Sequence, residues 1–187
     1  MSENVTKTEK KKEAGMAQMV LTLGAICAVC ALLLGLVNKV TEPVIIENEM
    51  KKKMVAMQEV LAADDYAPAT YAGDDATVLN VYEAVGKGHV VEVNCAAGSF
   101  SGTLSIMVGV NSDGTVSGVS IVTTAETSGL GSKASDPAFK DQYVGKGGTL
   151  AVDKDGGEIV AISGATITSR AVTAGVNSAL AAVGQLG

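Results

Sequence analysis

Residues 14–38, AGMAQMVLTLGAICAVCALLLGLVN, form a run of 25 positions without a charge, bounded by Glu13 and Lys39. A helix needs about 20 apolar residues to cross a bilayer core. The main polar interruptions are Gln18, Thr22 and Asn38, two of them near an end. A cleavable signal peptide has a shorter apolar region, about 7–15 residues, followed by a small-residue cleavage site. Here Lys39-Val40-Thr41-Glu42-Pro43 follows instead. The pattern predicts one uncleaved transmembrane helix over 14–38. Beyond it, Met50, Met54, Met57 and Leu61 recur at spacings of four, three and four. That is a helical period and predicts a helical connector over 39–63. Pro43 suits a helix start, Asp64-Asp65 end the pattern, and the methionines are expected to pack in a core.

The periodicity then changes to that of strands. Leu79–Ala84 and Val90–Cys95 flank a Gly-rich turn. Thr103–Val110 and Thr115–Thr123 flank Asn111-Ser112-Asp113-Gly114, a strong hairpin signal. Leu104, Ile106 and Val108 alternate with Thr103, Ser105 and Met107, as in a half-buried strand. A further pair, Leu150–Val152 and Glu158–Ile162, flanks Lys154-Asp155-Gly156-Gly157. Val172, Val176, Leu180 and Val183 then mark a last helix, about Arg170 to Val183. With no alternating βαβ series, the expected class is α+β: one transmembrane helix, then a hairpin-rich antiparallel sheet with flanking helices. The expected divisions are a basic tail at 1–13, the span at 14–38, the connector at 39–63 and one domain at 64–187.

Charge narrows the function. The chain has 14 Lys+Arg against 20 Asp+Glu, a net −6. Such a balance argues against nucleic-acid binding, which needs a basic face. A single histidine, His89, excludes a multi-histidine metal site. Lys7, Lys10, Lys11 and Lys12 precede the span; Lys39, Lys51, Lys52 and Lys53 follow it. The positive-inside count is therefore even. The first cluster is nearer the span and sits on a short tail, so the expectation is a cytoplasmic N-terminus with the body outside. Cys27 and Cys30 share a face of the span, but one CxxC supplies half of a four-thiolate site, and close helix packing is the simpler role. Cys95 is the body's one cysteine, so no disulfide forms within the body.

Two segments carry candidate chemistry. Ser163-Gly164-Ala165-Thr166-Ile167-Thr168-Ser169 links a strand to the last helix. Thr168 or Ser169 is the expected N-cap. Thr166 would then lie just ahead of a helix N-terminus, where free N–H groups favour an anion such as phosphate. By composition alone a plain capped strand-to-helix turn is the favoured reading, since small polar residues are what such turns need. The second segment is Glu126-Thr127-Ser128-Gly129-Leu130-Gly131-Ser132-Lys133. Its closely spaced glycines, hydroxyls and lysine can cradle a phosphate or a planar ring, or form only a surface loop. It is neither a Walker A loop nor the G-x-G-x-x-G fingerprint.

Ser163–Val172 resembles the flavinylation motif of the FMN-binding domain family. Glu126-Thr127-Ser128-Gly129-Leu130-Gly131 is similar to that family's E-T-P-G-L-G loop, with Ser128 where proline is usual. The Met107–Ile121 hairpin fits as well. With the N-terminal span, the whole length to Val183 resembles the G subunits of Rnf electron-transport complexes. The C subunits of sodium-pumping NADH:quinone reductases are similar too, and a subunit of that kind is the alternative within the flavin reading.

The resemblance implies a covalent FMN, joined by its phosphate to the hydroxyl of Thr166 by a separate flavin transferase. It implies contacts from Ser163, Gly164, Ala165, Thr168, Glu126, Thr127, Gly129, Leu130, Gly131 and Lys133. Many members are acidic three positions before the Ser; here that position is Val160, with Glu158 and Asp155 nearby. The implied role is an electron-carrying subunit of an ion-translocating ferredoxin:NAD oxidoreductase, rather than an enzyme alone. Its partners would be the other membrane subunits, in the plasma membrane. A cofactor-free, membrane-tethered binding module is the alternative of a different class.

Overall fold

The computed structural model describes residues 15–186. The basic tail, with Lys7, Lys10, Lys11 and Lys12, lies outside them. The chain forms two units, dividing between Asn48 and Glu49.

Helix α1 spans Met16–Val60. Through residue 50 it is exposed throughout, and it is long and apolar enough to cross a membrane. Pro43 lies inside this helix rather than starting a second one. The span and the methionine pattern share one helical period, and proline's fixed φ is itself helical. The helix loses one donor there. Thr41 Oγ1 bonds back to the carbonyls of Val37 (3.0 Å) and Asn38 (3.2 Å).

The helix ends at Val60, three residues short of the expected Ala63. Carbonyls near a helix end need outside donors. Ser117 Oγ donates to Val60 O at 2.6 Å and Tyr66 OH to Leu61 O at 2.7 Å. Lys87 Nζ donates to Ala62 O at 2.6 Å and Gln58 Nε2 to Ala63 O at 2.9 Å.

The second unit is an antiparallel meander of five strands in the order β1-β2-β3-β4-β5. They are β1 Tyr66–Ala69, β2 Val78–Ala84, β3 Gly88–Asn94, β4 Leu104–Asn111 and β5 Val116–Thr124. The predicted strands appear within a few residues, and β1 is additional. The β4–β5 hairpin closes on Asn111–Gly114 as its sequence requires, with Gly114 at φ +80°.

Both faces of the sheet are covered. Leu104, Ile106 and Val108 pack toward helix α3, Thr166–Gly184, against Val172 and Val176. Met107, expected on a solvated face, is fully buried with Met57, Val60 and Val90. The end of α1 lies over that side and buries Met57, whereas Met50 and Met54, also expected in a core, face away from the sheet and stay 63% and 57% exposed. The paired glycines Gly109 and Gly118 admit the helix end. A Cβ on Gly109 would stand 2.5 Å from Val60 O, and one on Gly118 3.0 Å from Val60 Cα. Glu92, 3% exposed on β3, is held there by Lys53 at 2.9 Å and Asn80 at 2.7 Å.

The expected hairpin over 150–162 is absent. Val152 and Ile159 form one isolated parallel bridge. Between them Asp153–Asp155 makes a 3-10 turn ending at Gly156, φ +83°. Asp153 Oδ1 takes the N–H of Ala161 at 3.0 Å, where a strand partner would otherwise bond. Short helix α2, Pro137–Lys140, and a 3-10 turn at Asp141–Tyr143 complete the unit.

Candidate functional site

The two segments singled out in the sequence meet at the N-terminus of α3, around a pocket of about 360 Å³. In the first, Gly164 turns the chain at φ +76°. Helix α3 starts at Thr166, four residues before the expected Arg170, with Ala165 in the N-cap position and no side-chain cap. The expected caps are engaged elsewhere. Thr168 Oγ1 donates to Glu126 Oε2 at 2.6 Å. Ser169 Oγ donates to Ala165 O at 3.0 Å and accepts from Ile162 N at 3.0 Å.

Two features follow from this arrangement. The N–H groups of Thr166, Ile167 and Thr168 have no acceptor among the described residues. The half-buried Thr166 hydroxyl has no hydrogen-bond partner among them either, so of the three hydroxyls in this first turn it alone is free to react or bind. Beneath it, Thr173 Oγ1 donates to Ser169 O at 2.8 Å. Its single proton being spent, it accepts from Tyr143 OH, also at 2.8 Å.

The second segment leaves β5 and enters a 3-10 turn at Gly131–Ser135. Gly129 holds φ +77°, its N–H donating to Ser132 Oγ at 2.9 Å. Glu126, 8% exposed, reaches across to α3. Ser101 donates to its Oε1 twice, from the backbone at 3.0 Å and from the hydroxyl at 2.8 Å. Burial alone would raise this carboxyl, but the bonds from Thr168 and Ser101 outweigh it and hold it below the ordinary carboxylate value. Gly131 leaves the space they need: a Cβ there would stand 2.6 Å from Glu126 Oε2 and 2.8 Å from Thr168 Oγ1.

Glu126, Thr127, Leu130, Gly131, Gly164, Ala165, Thr166 and Thr168 therefore line one pocket. Gly129 and Ser163 belong to the same loops but lie off its lining. Lys133 lines a neighbouring cleft of about 350 Å³ with Val160 and Gln142. The acids near Val160 are already paired. Asp155 grips Arg170 at 2.6 and 2.7 Å, and Glu158 takes Lys146 at 2.7 Å.

Sequence reading missed Phe100 and Ile167. Both line the pocket, 69% and 51% exposed. A lone aromatic in the polar turn Gly98-Ser99-Phe100-Ser101 has no periodicity to betray it. Its neighbours are the available signal: with exposed Leu130 and Ile167 it forms one apolar cluster at the pocket, and such a cluster marks a contact surface. The pocket thus joins uncapped N–H groups, suited to a phosphate, to apolar walls suited to a planar ring.

Residues 99–181 match the family model of the FMN-binding domain, and residues 13–60 that of the RnfG N-terminal region. The G subunit of the Na(+)-translocating ferredoxin:NAD(+) oxidoreductase complex of Acetobacterium woodii is 37% identical, over 86% of this chain and 87% of that protein. The G subunit of an ion-translocating oxidoreductase complex of Methanosarcina acetivorans is 32% identical, over 88% and 93%. Among solved structures, the C subunit of the Na(+)-translocating NADH-quinone reductase of Parabacteroides distasonis aligns with a TM-score of 0.38 at 25% identity, over 56% of this chain and 59% of that one. The chain belongs to the G-subunit family of ion-translocating oxidoreductase (Rnf) complexes.

Proposed function

We propose that this chain is a membrane-anchored electron relay of an Rnf complex, carrying FMN through a phosphoester on Thr166. The observation that carries the attachment point is the unengaged Thr166 hydroxyl beside three N–H groups without partners among the described residues. Thr168 and Ser169 lack that freedom, because their hydroxyls are bound to Glu126 and Ala165.

The residues fit the group. The helix N-terminus suits its phosphate and Phe100, Leu130 and Ile167 its ring. FMN supplies one- and two-electron redox chemistry when bound. The chain's own part is to tether it at Thr166, hold the phosphate at the start of α3 and flank the ring. A covalent tether explains why a shallow pocket without tryptophan suffices.

Helix α1 would anchor the protein in the plasma membrane. The basic tail supports a cytoplasmic N-terminus and an extracytoplasmic body. The partners would be the other membrane subunits of the complex, with a flavin transferase for maturation.

Intact mass of the chain, purified from cells that express the transferase, tests the reading. The wild type should carry the added mass of one esterified FMN. Thr166→Ala should lose the mass and the yellow colour and stay folded. Thr168→Ala should keep the flavin but lose about 1–3 kcal/mol of stability, since Glu126 is left short of a donor. A wild-type chain without added mass would overturn the covalent reading, and flavin retained in Thr166→Ala would move the site.

A further inference from the structure

We infer that Glu126 is a fixed negative charge that lowers the reduction potential of the flavin at Thr166. The inference rests on the flavin reading above and deepens it.

The carboxylate lines the same pocket as Thr166 and Phe100 and is 8% exposed. The groups that hold it are neutral: the Thr168 hydroxyl, the backbone and hydroxyl of Ser101, and the Ser99 side chain. Neutral donors stabilise a charge without cancelling it. Among the described residues Glu126 forms no ion pair. The nearby cations have other places: Arg170 is gripped by Asp155, and Lys133 lines the adjoining cleft. Gly131 keeps the carboxylate's surroundings free of a side chain that would displace it.

A mere latch between the two segments needs no charge. A glutamine at this position could make hydrogen bonds to the same groups, weaker because its acceptor is neutral. The charge is therefore what the glutamate adds. Its field is weakly screened inside the protein and reaches whatever the pocket holds. Reduction adds electrons to the bound ring. A neighbouring negative charge raises the energy of that electron-richer form relative to the oxidised one, so the potential falls. The phosphate at the start of α3 acts in the same direction.

The test is a spectroscopic redox titration of the full-length, FMN-loaded chain in detergent, with Glu126→Gln and Glu126→Asp beside the wild type. Glu126→Gln should keep the flavin mass and titrate at a more positive potential. Glu126→Asp keeps the charge but shortens the reach to Thr168. It should titrate near the wild type while unfolding more easily. A Glu126→Gln chain at the wild-type potential overturns the inference. So does an equal positive shift in both variants, which would make geometry rather than charge the cause. A Glu126→Gln chain that folds but takes up no flavin also overturns it, because the carboxylate would then act in attachment. A wild-type chain without FMN defeats the underlying reading instead, and the mass spectrum tells that failure apart.

Discussion

Leu130 lies against Gly164, so closely that a Cβ placed on Gly164 would stand 3.1 Å from Leu130 Cδ2. The two loops of the site are in contact at a position where the backbone also requires glycine, since Gly164 holds φ +76°.

Gly164→Ala should therefore cost about 1–3 kcal/mol, the strain of a left-handed backbone on a residue with a side chain, with crowding of Leu130 added. Chemical unfolding of the full chain measures the loss. FMN loading should slow as well, because the turn that presents Thr166 is displaced.

The glycines of the second loop should separate cleanly. Gly129 is left-handed but open, with nothing within 4 Å of the place a Cβ would take, whereas a Cβ on Gly131 would stand 2.6 Å from Glu126 Oε2. Gly129→Ala should show backbone strain alone and an unaltered flavin spectrum. Gly131→Ala should break the Glu126–Thr168 bond, lose about 1–3 kcal/mol by overpacking, and shift the spectrum.

Acid should weaken the domain through its depressed carboxylates, of which Glu59 and Glu126 are less exposed to solvent than the surface aspartates. The hydrogen bond from Lys140 lowers Glu59 below the ordinary 4.5, against the effect of burial and with help from Ser120. For Glu126, burial pushes upward but the bonds from Thr168 and Ser101 prevail. A folded-state value depressed below the unfolded one gives stability that is complete above the unfolded value and lost as pH falls through the folded one. Unfolding midpoints should therefore be flat down to about pH 5 and fall below it. The stability difference between wild type and Glu126→Gln should shrink over the same acid range. A constant difference down to about pH 3 would show that the Glu126 carboxyl is not depressed.

Cys95 should resist alkylation in the folded chain at mildly alkaline pH. Burial pushes its thiol to about 12, and the thiolate is the reactive form. Its modification rate, followed by mass spectrometry, should track opening of the sheet and rise with denaturant. Gly175→Ala should speed it, because a Cβ there would stand 2.4 Å from Sγ.

What the sequence made legible was local. Strand periodicity located β2 to β5, and the apolar run located the first part of α1. What it hid depended on contacts between distant residues. Met107 reads as an outward position of a half-buried strand until the end of α1 covers that face. Thr168 and Ser169 read as caps because a hydroxyl before a helical pattern usually is one. Glu126, far back in the chain, takes the Thr168 hydroxyl instead, and α3 already starts at Thr166. Asp153 likewise takes the N–H of Ala161 and forestalls the hairpin that Lys154-Asp155-Gly156-Gly157 suggests. Pro43 carries two compatible meanings, helix start or helix interior, and only the continuous run on both sides decides between them. For the site, both loops were visible as motifs. The family resemblance implied their meeting on one flavin; the part of Phe100 was not visible.

The hydroxyl chain below Thr166 has a consequence for the protein's life history. Tyr143, Thr173 and Ser169 satisfy one another, and no described buried side-chain polar atom lacks a partner. The floor of the site needs no guest to complete it. With FMN attached at Thr166 as proposed, the chain would fold before it is loaded, so its synthesis would run ahead of vitamin supply and leave a colourless but finished stock.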